Sequence, residues 1–217
     1  MTTRAALALD EAVATARTGD LWLFSGRAPA DRAIQLATRS PVNHVAMAVV
    51  LDDRPPLLWH ADASGPLPDA WTGDLHGGAQ LHDLRSAVVV WARRFRQAPW
   101  LRRVHAPLDP AADDAVRATI AAHDGTPYPA PLAMAAGWLR ARLPARRAED
   151  GRTVHCAGVV ALAYEAMGLL RSRRRPSWYD PGTFWDPQRL DLADGVRLAD
   201  AVPVCIPGRL PDASRGL

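Results

Sequence analysis

Residues 155–168 decide the fold and read His-Cys-Ala-Gly-Val-Val-Ala-Leu-Ala-Tyr-Glu-Ala-Met-Gly. The stretch is strongly apolar and ends at a glycine, which predicts a buried helix over residues 155–170. Cys156 would then lie at the helix N-terminus, where unpaired N–H groups and the helix dipole favour negative charge. A thiol there is expected to have a lowered pKa and to act as a nucleophile. A buried structural cysteine is the alternative interpretation.

A second informative stretch is the apolar segment 43–51, which alternates as a strand covered on both faces, followed by a returning strand over residues 57–62. If the turn between them leaves three residues unpaired, His44 lies opposite Asp62, and His60 shares their sheet face. A slip of one residue in the turn would change this pairing, so the register stays open.

His44 is the candidate general base for Cys156, because a thiol nucleophile needs a base and the base needs an orienting partner. Either His60 or Asp62 could orient the His44 ring. A core histidine bonded to a carbonyl is the alternative for His44. A zinc site at His44, His60 and Asp62 is the competing use of these side chains, but the sequence has no paired metal-binding motif, so no metal and no cofactor are predicted.

The remaining pattern predicts a single α+β domain over residues 1–217. Its parts are an N-terminal helix (1–18), a core (19–206) and a C-terminal tail (207–217). The other predicted elements are a strand at 20–25, a helix at 29–39 with Ala33, Ile34, Leu36 and Ala37 inward, a loop at 65–82, a buried strand at 84–91, helices at 109–123 and 132–143, and a strand pair within 196–206.

Composition excludes several classes of protein. The 217 residues include 26 basic residues, all of them arginine, so lysine-dependent chemistry is excluded. Two cysteines exclude a disulfide framework, and no apolar run is long enough to predict a membrane span. No export signal is visible, which gives the expectation of a cytoplasmic protein. The net charge of +3 argues neither for nor against an anionic partner.

Arginines between residues 93 and 103, with Phe95 and Trp100 among them, could bind nucleic acid. Because every basic residue is arginine, this cluster is discounted in favour of a solvated basic segment, and no nucleic-acid partner is predicted. The predicted partner is a small-molecule or peptide substrate, and the sequence does not indicate the oligomeric state.

Taken together, several motifs resemble the circularly permuted, papain-like NlpC-type cysteine hydrolases of the YiiX/YaeF kind. In that group the histidine strand precedes the cysteine helix, as it does here. The matching motifs are Gly19-Asp-Leu-Trp-Leu-Phe-Ser25, Asn43-His-Val-Ala-Met-Ala-Val-Val50, Trp59-His-Ala61, Gly125-Thr-Pro-Tyr128, His155-Cys-Ala-Gly158 and Tyr179-Asp-Pro-Gly-Thr-Phe184.

The resemblance implies a papain-like fold in which a helix bearing Cys156 packs on an antiparallel sheet bearing His44. It implies a cysteine hydrolase of the amidase or peptidase kind, with Cys156 as nucleophile, His44 as base and His60 as the third polar residue, a position that is often Glu in the group. Tyr128 matches the Gly-x-Pro-Tyr turn and is a candidate for the pocket wall.

Two further residues complete the predicted site, and other functions stay open. Asp62 is a candidate to support His44 and is also predicted to bind substrate, and the small Ala157 is expected to leave room for substrate. The alternatives are a lipid-directed acyltransferase or thioesterase of the same fold, similar to the lecithin:retinol acyltransferase group, and a non-catalytic binding domain.

Overall fold

The computed structural model describes residues 6–51, 54–142, 152–171 and 174–206. Its strands are β1 (Leu7–Ala8), β2 (Leu21–Ser25), β3 (His44–Val49), β4 (Leu57–Asp62), β5 (Gly78–Asp83), β6 (Ala98–Arg102), β7 (Val104–His105), β8 (Arg197–Leu198) and β9 (Val202–Cys205). Its helices are α1 (Leu9–Ala14), α2 (Pro29–Thr38), α3 (Leu84–Arg93), α4 (Pro110–His123), α5 (Pro131–Ala141), α6 (Cys156–Ala166) and α7 (Pro181–Trp185). Short 3₁₀ turns flank α7 at Pro176–Trp178 and Pro187–Arg189.

The main sheet has seven strands in the order β1-β9-β6-β2-β3-β4-β5. All its neighbouring strands run antiparallel except β1 and β9, which are parallel. Strands β7 and β8 form a separate pair. The fold is therefore α+β with a mostly antiparallel sheet, as the sequence predicts.

Two hydrophobic clusters cover opposite faces of the main sheet. The α6-side cluster contains Val45, Met47 and Val49 of β3 together with the buried face of α6. The α3-side cluster contains Ala46 and Ala48 of the same strand together with α3. The strict alternation along β3 follows from the two-residue period of a strand, and it confirms the prediction that both faces are covered.

The β3–β4 register is the one favoured by a three-residue turn. Met47 pairs with Trp59 and Val49 pairs with Leu57. Within the described residues this pairing extends only from Met47 to Val49, and it does not reach His44 and Asp62. The turn itself includes residues 52 and 53, which lie outside the described residues.

Two predicted elements are wrong. Residues 84–91 are not a strand but most of α3, because Asp83 Oδ1 accepts a hydrogen bond from the Ser86 N–H at 2.8 Å and caps a helix. Buried residues then recur at helical spacing, namely Leu84, Ala87, Val88 and Trp91. The predicted loop at 65–82 ends in a real strand, β5, which pairs with β4 along its whole length.

Other predictions hold in part. Helices α2, α4, α5 and α6 lie where the sequence places them, within a few residues. The predicted N-terminal helix is shorter, since β1 precedes it and residues 1–5 are outside the described residues, as is the tail at 207–217. Strands β8 and β9 both form, but they pair with different partners and not with each other. Ala33, Leu36 and Ala37 of α2 are exposed, contrary to the prediction that they point into the core.

A buried carboxylate holds the start of β2 against the start of β7. Asp20 is fully buried, and its Oδ1 accepts a hydrogen bond from the Val104 N–H at 3.0 Å. Its Oδ2 accepts a hydrogen bond from the Arg17 N–H and pairs with Arg103 Nη1 at 2.7 Å. Removing the carboxylate would take away the acceptor of the Val104 and Arg17 N–H groups, whereas Arg103 would keep its hydrogen bonds to Thr15.

We predict that Asp20→Ala lowers the free energy of unfolding by about 3 kcal/mol, because it breaks a buried, hydrogen-bonded ion pair. Urea denaturation followed by circular dichroism measures this. Asp10→Ala is the matched control, since Asp10 pairs with Arg85 on the surface, and its loss is expected to cost less than about 1 kcal/mol. Equal costs for the two variants would contradict a structural role for the buried pair.

Candidate active site

Cys156 is the first residue of α6, as the sequence predicts. His155 is the N-cap residue, and its Nδ1 accepts a hydrogen bond from the Gly158 N–H at 3.3 Å. The same acceptor role is usually filled by Ser, Thr, Asp or Asn. A neutral imidazole therefore fixes the helix start and the position of the thiol.

The thiol of Cys156 is buried in the α6-side cluster. Burial raises its pKa to about 12, although hydrogen bonds from the backbone N–H groups of Val45 and Ala157 act in the opposite direction. The charges of Asp62 and Asp180 raise the pKa further. The expectation of a lowered pKa is therefore wrong, because loss of hydration outweighs the favourable helix N-terminus.

An apolar groove opens above Cys156. It encloses about 330 Å³ between α2 and α5. Its apolar walls come from Ala33, Ile34, Ala37, Met134, Ala135, Trp138 and Leu139. Its other lining residues include Asn43, Tyr128, His155 and Cys156. The apolar face of α2 that was predicted to enter the core lines this groove instead. A substrate bound here would contact Cys156.

His44, the predicted base, is the first residue of β3, and its side chain packs on the α3 side. Its ring stacks on Trp91 at a centroid distance of 5.7 Å and contacts Phe24 at 5.8 Å. Burial lowers its pKa to about 4, and the charge of Asp62 offsets this only in part. Its Nε2 atom is buried and has no hydrogen-bond partner among the described residues.

The described residues show no hydrogen bond between His44 and Cys156. The two side chains nevertheless arise from neighbouring parts of the backbone, because the N–H group of Val45, the residue after His44, is the one that reaches the Cys156 sulfur. The resting pair consists of a neutral thiol and a neutral imidazole.

His60 lies beside His44, with their ring centroids 5.4 Å apart. Its Nε2 is hydrogen-bonded to His82 Nδ1 at 3.1 Å, so His60 does not orient the His44 ring through a hydrogen bond. Burial, followed by the nearby His44 and His82, lowers the pKa of His60. The Asp62 carboxylate does not bond His44 either, since its Oδ1 accepts hydrogen bonds from the N–H and hydroxyl of Ser64.

The rings of His44 and His60 pack with those of His82 and Trp91. The sequence analysis does not predict the last two as neighbours of the site. The signal for His82 was the alternation in Gly78–Asp83, where Ala79 and Leu81 face one side and His82 the other. The signal for Trp91 was its helical spacing from Leu84. The many Gly, Pro and Asp residues before β5 favour a loop, so the alternation around His82 is not predicted as a strand. The run of valines before Trp91 favours a strand, so its helical spacing is not predicted.

The three predicted substrate-binding residues differ in outcome. Asp62 bonds Ser64 and is not among the residues that line the groove. Tyr128 lines the groove, and burial raises the pKa of its hydroxyl, to which Cys156 and Asp62 contribute. Ala157 is fully buried in the α6-side cluster and does not line the groove. The prediction for Ala157 is corrected accordingly: its backbone N–H, not its side chain, faces the site.

Side chains of the arginine-rich segment 93–103 make structural contacts within the fold. The Arg102 side chain is buried and donates a hydrogen bond to the Trp185 carbonyl at 2.7 Å. Arg103 pairs with Asp20. Phe95 packs against Trp91 at 5.4 Å. These side chains have structural partners that explain their presence.

No protein-family model matches the sequence, and no curated protein matches it. Among solved structures, the chain is similar to the metalloprotein YiiX from Escherichia coli O157:H7, with a TM-score of 0.48 and 21% sequence identity. The alignment covers 70% of this chain and 66% of the E. coli chain. Within the described residues, no helix combines the length and the apolar character that a membrane crossing requires.

We predict that Cys205 reacts with iodoacetamide at least about tenfold faster than Cys156 in the native protein at pH 8, because Cys205 is exposed and Cys156 is a buried, protonated thiol. Mass mapping of both sites in the same sample measures the ratio. In urea the two rates are expected to converge. Faster labelling of Cys156 in the native protein would show a preformed thiolate and contradict the neutral resting state.

Proposed function

We propose that the protein is a cysteine hydrolase of the permuted papain-like type, which forms a thioester acyl-enzyme on Cys156. The observation that carries the proposal is the position of Cys156, which begins α6 at the floor of the groove. The first N–H groups of a helix have no partner within the helix, so they are suited to bind the oxyanion that forms when sulfur attacks a carbonyl.

The neutral resting pair favours general-base catalysis over a preformed ion pair. The step requires the His44 ring to leave its stack on Trp91 and turn toward the thiol, and its Nε2 has no hydrogen bond to lose in that movement. His44 then takes the Sγ proton while the sulfur forms a bond to the carbonyl carbon. The tetrahedral intermediate collapses, the leaving group takes the proton from His44, and the acyl group stays on Cys156. Attack by water, with His44 again as base, releases the acid and restores the thiol.

His60 acts as a positioning residue. Its hydrogen bond to His82 fixes its ring, and the ring edge lies against His44. Asp62 raises the pKa of His44 and so favours the protonated ring that exists after proton transfer. Tyr128 lines the groove above the thiol.

The groove favours a substrate with an apolar acyl group. Its walls are Ala, Ile, Met, Leu and Trp side chains, which gain free energy by covering apolar surface. An apolar groove favours a lipid-directed enzyme over an amidase or peptidase. Such an enzyme would be an acyl hydrolase, a thioesterase or an acyltransferase. An amide, ester or thioester could each supply the carbonyl.

The first test uses p-nitrophenyl esters of fatty acids and follows the acyl adduct by intact-mass spectrometry. Wild type is expected to gain one acyl group on Cys156, and Cys156→Ser is expected to gain no thioester. His44→Gln should slow acylation by at least about 100-fold, because it removes the base. The acylation rate of wild type should fall only near pH 4, where His44 becomes protonated.

His155→Asn is the matched control, because Asn retains an N-cap acceptor and removes the imidazole that lines the groove beside Cys156. If His155→Asn abolishes acylation and His44→Gln does not, the assignment of His44 as base is wrong. If no ester acylates Cys156 in wild type, the hydrolase proposal fails and a binding domain remains.

The groove itself gives a separate prediction. Ala33→Phe fills part of the groove wall, so it should lower kcat/KM for a long-chain ester at least about tenfold and leave a two-carbon ester little changed. Leu36→Phe is the control, because Leu36 lies on the same helix but is 81% exposed and outside the groove. Equal losses for short and long esters would show that the groove does not hold the acyl chain.

A further inference from the structure

A second cluster of functional side chains lies outside the groove, where the loop before β5 meets the end of α4. Asp69 and His76 come from the loop, and Asp124 follows α4 directly. One ligand atom from each residue lies within 4.8 Å of the others. Residues so distant in sequence come together only because β5 pairs with β4 and carries the loop to α4.

The imidazole of His76 is held in one tautomer. Its Nδ1 lies 3.2 Å from the Gly77 carbonyl, which can only accept, so Nδ1 carries the proton of the neutral ring. The lone pair of Nε2 then points toward the carboxylates, at 3.9 Å from Asp69 Oδ2. This Nε2 atom is buried and has no hydrogen-bond partner among the described residues. Metal-binding histidines characteristically donate the other ring N–H to a backbone carbonyl in this way.

The carboxylates are also arranged around a common point. Asp69 is 1% exposed, and its Oδ1 accepts hydrogen bonds from the N–H groups of Trp71 and Thr72. Asp124 Oδ1 is buried and has no hydrogen-bond partner among the described residues. The Asp124 carboxylate faces both Asp69 and His76, since ligand atoms of all three residues lie within 4.8 Å of one another.

We propose that Asp69, His76 and Asp124 form a binding site for a divalent first-row transition metal ion, with zinc as the first candidate. A divalent ion between these atoms would accept the Nε2 lone pair and neutralise both carboxylates. One imidazole with two carboxylates is a ligand set that zinc and manganese accept, whereas calcium and magnesium prefer oxygen alone. The ligand atoms need to move inward slightly to reach bonding distances of about 2.0–2.2 Å.

The ion would fasten the loop to the turn that holds Tyr128. Gly78, at the start of β5, has φ +106°, and a Cβ there would lie 2.3 Å from the Thr126 carbonyl oxygen. Ala79 exchanges hydrogen bonds with this turn, donating to the Thr126 carbonyl at 2.9 Å and accepting from the Gly125 N–H at 2.9 Å. The site therefore lies beside the segment that carries Tyr128 to the groove, and its role is structural.

The test is binding of zinc to the metal-free full chain, measured by competition with a chromophoric chelator and by the thermal unfolding midpoint. Wild type is expected to bind one equivalent and to unfold at a higher temperature with zinc. Asp124→Asn and His76→Gln should each weaken binding at least about tenfold and remove the thermal shift. Asp69→Ala is not used, because Asp69 also caps the loop and accepts a hydrogen bond from the Leu81 N–H at 2.6 Å.

Asp74→Asn and His105→Gln are the matched controls, since both residues are exposed and outside the cluster, and both variants should bind like wild type. Cobalt gives a further readout: a spectrum without sulfur-to-metal charge transfer is expected, because the ligands are nitrogen and oxygen. Failure of wild type to bind zinc, manganese or cobalt would overturn the proposal, as would unchanged binding in Asp124→Asn and His76→Gln. In either case the cluster would be an ion pair of protonated His76 with the carboxylates.

Discussion

The burial of β3 on both faces is the constraint on which the rest of the structure depends. Helix α6 covers one face and α3 the other, and the two-residue period of the strand assigns alternate side chains to the two clusters. A slip of one residue would move every apolar side chain to the wrong face. The same alternation sends the His44 ring toward Trp91 while α6 brings Cys156 to the other side. In the described structure the two side chains therefore lie on opposite sides of the sheet, with the His44 ring against Trp91 and the Cys156 thiol in the α6-side cluster.

Burial also decides the electrostatics of the site. A helix N-terminus typically stabilises a negative charge by about 0.3–1 kcal/mol, and by about 2 kcal/mol in favourable buried geometry. Raising the pKa of Cys156 from 9.0 to about 12 corresponds to about 4 kcal/mol against the thiolate. Loss of water therefore wins over the helix dipole. The same effect lowers the pKa of His44 to about 4, so at neutral pH the thiol is protonated and the imidazole is uncharged.

Local patterns allowed part of this structure to be predicted. The start of α6 and the β3–β4 register follow from apolar periodicity and a short turn, both of which depend on neighbours in sequence. Residues 84–91 were mistaken for a strand because three consecutive valines favour strands, whereas the Asp83 cap and packing on the sheet favour a helix. The face of β3 that α6 covers depends on long-range packing, so no pattern within β3 could show that His44 and Cys156 lie in different environments. The Asp69–His76–Asp124 cluster depends on the same kind of long-range pairing.

Periodicity also cannot tell an apolar helix face that meets the core from one that meets a ligand. Helices α2 and α5 have the spacing of core helices, yet Leu36, Leu132 and Leu139 are 81%, 86% and 60% exposed. Single exposed leucines are ordinary on a protein surface. Here Leu139 is itself part of the apolar wall of the groove, and Cys156 also lines it. Covering those walls would be favourable by about 25 cal/mol for each Å² removed from water, so an apolar ligand in the groove would gain free energy by binding next to the Cys156 thiol.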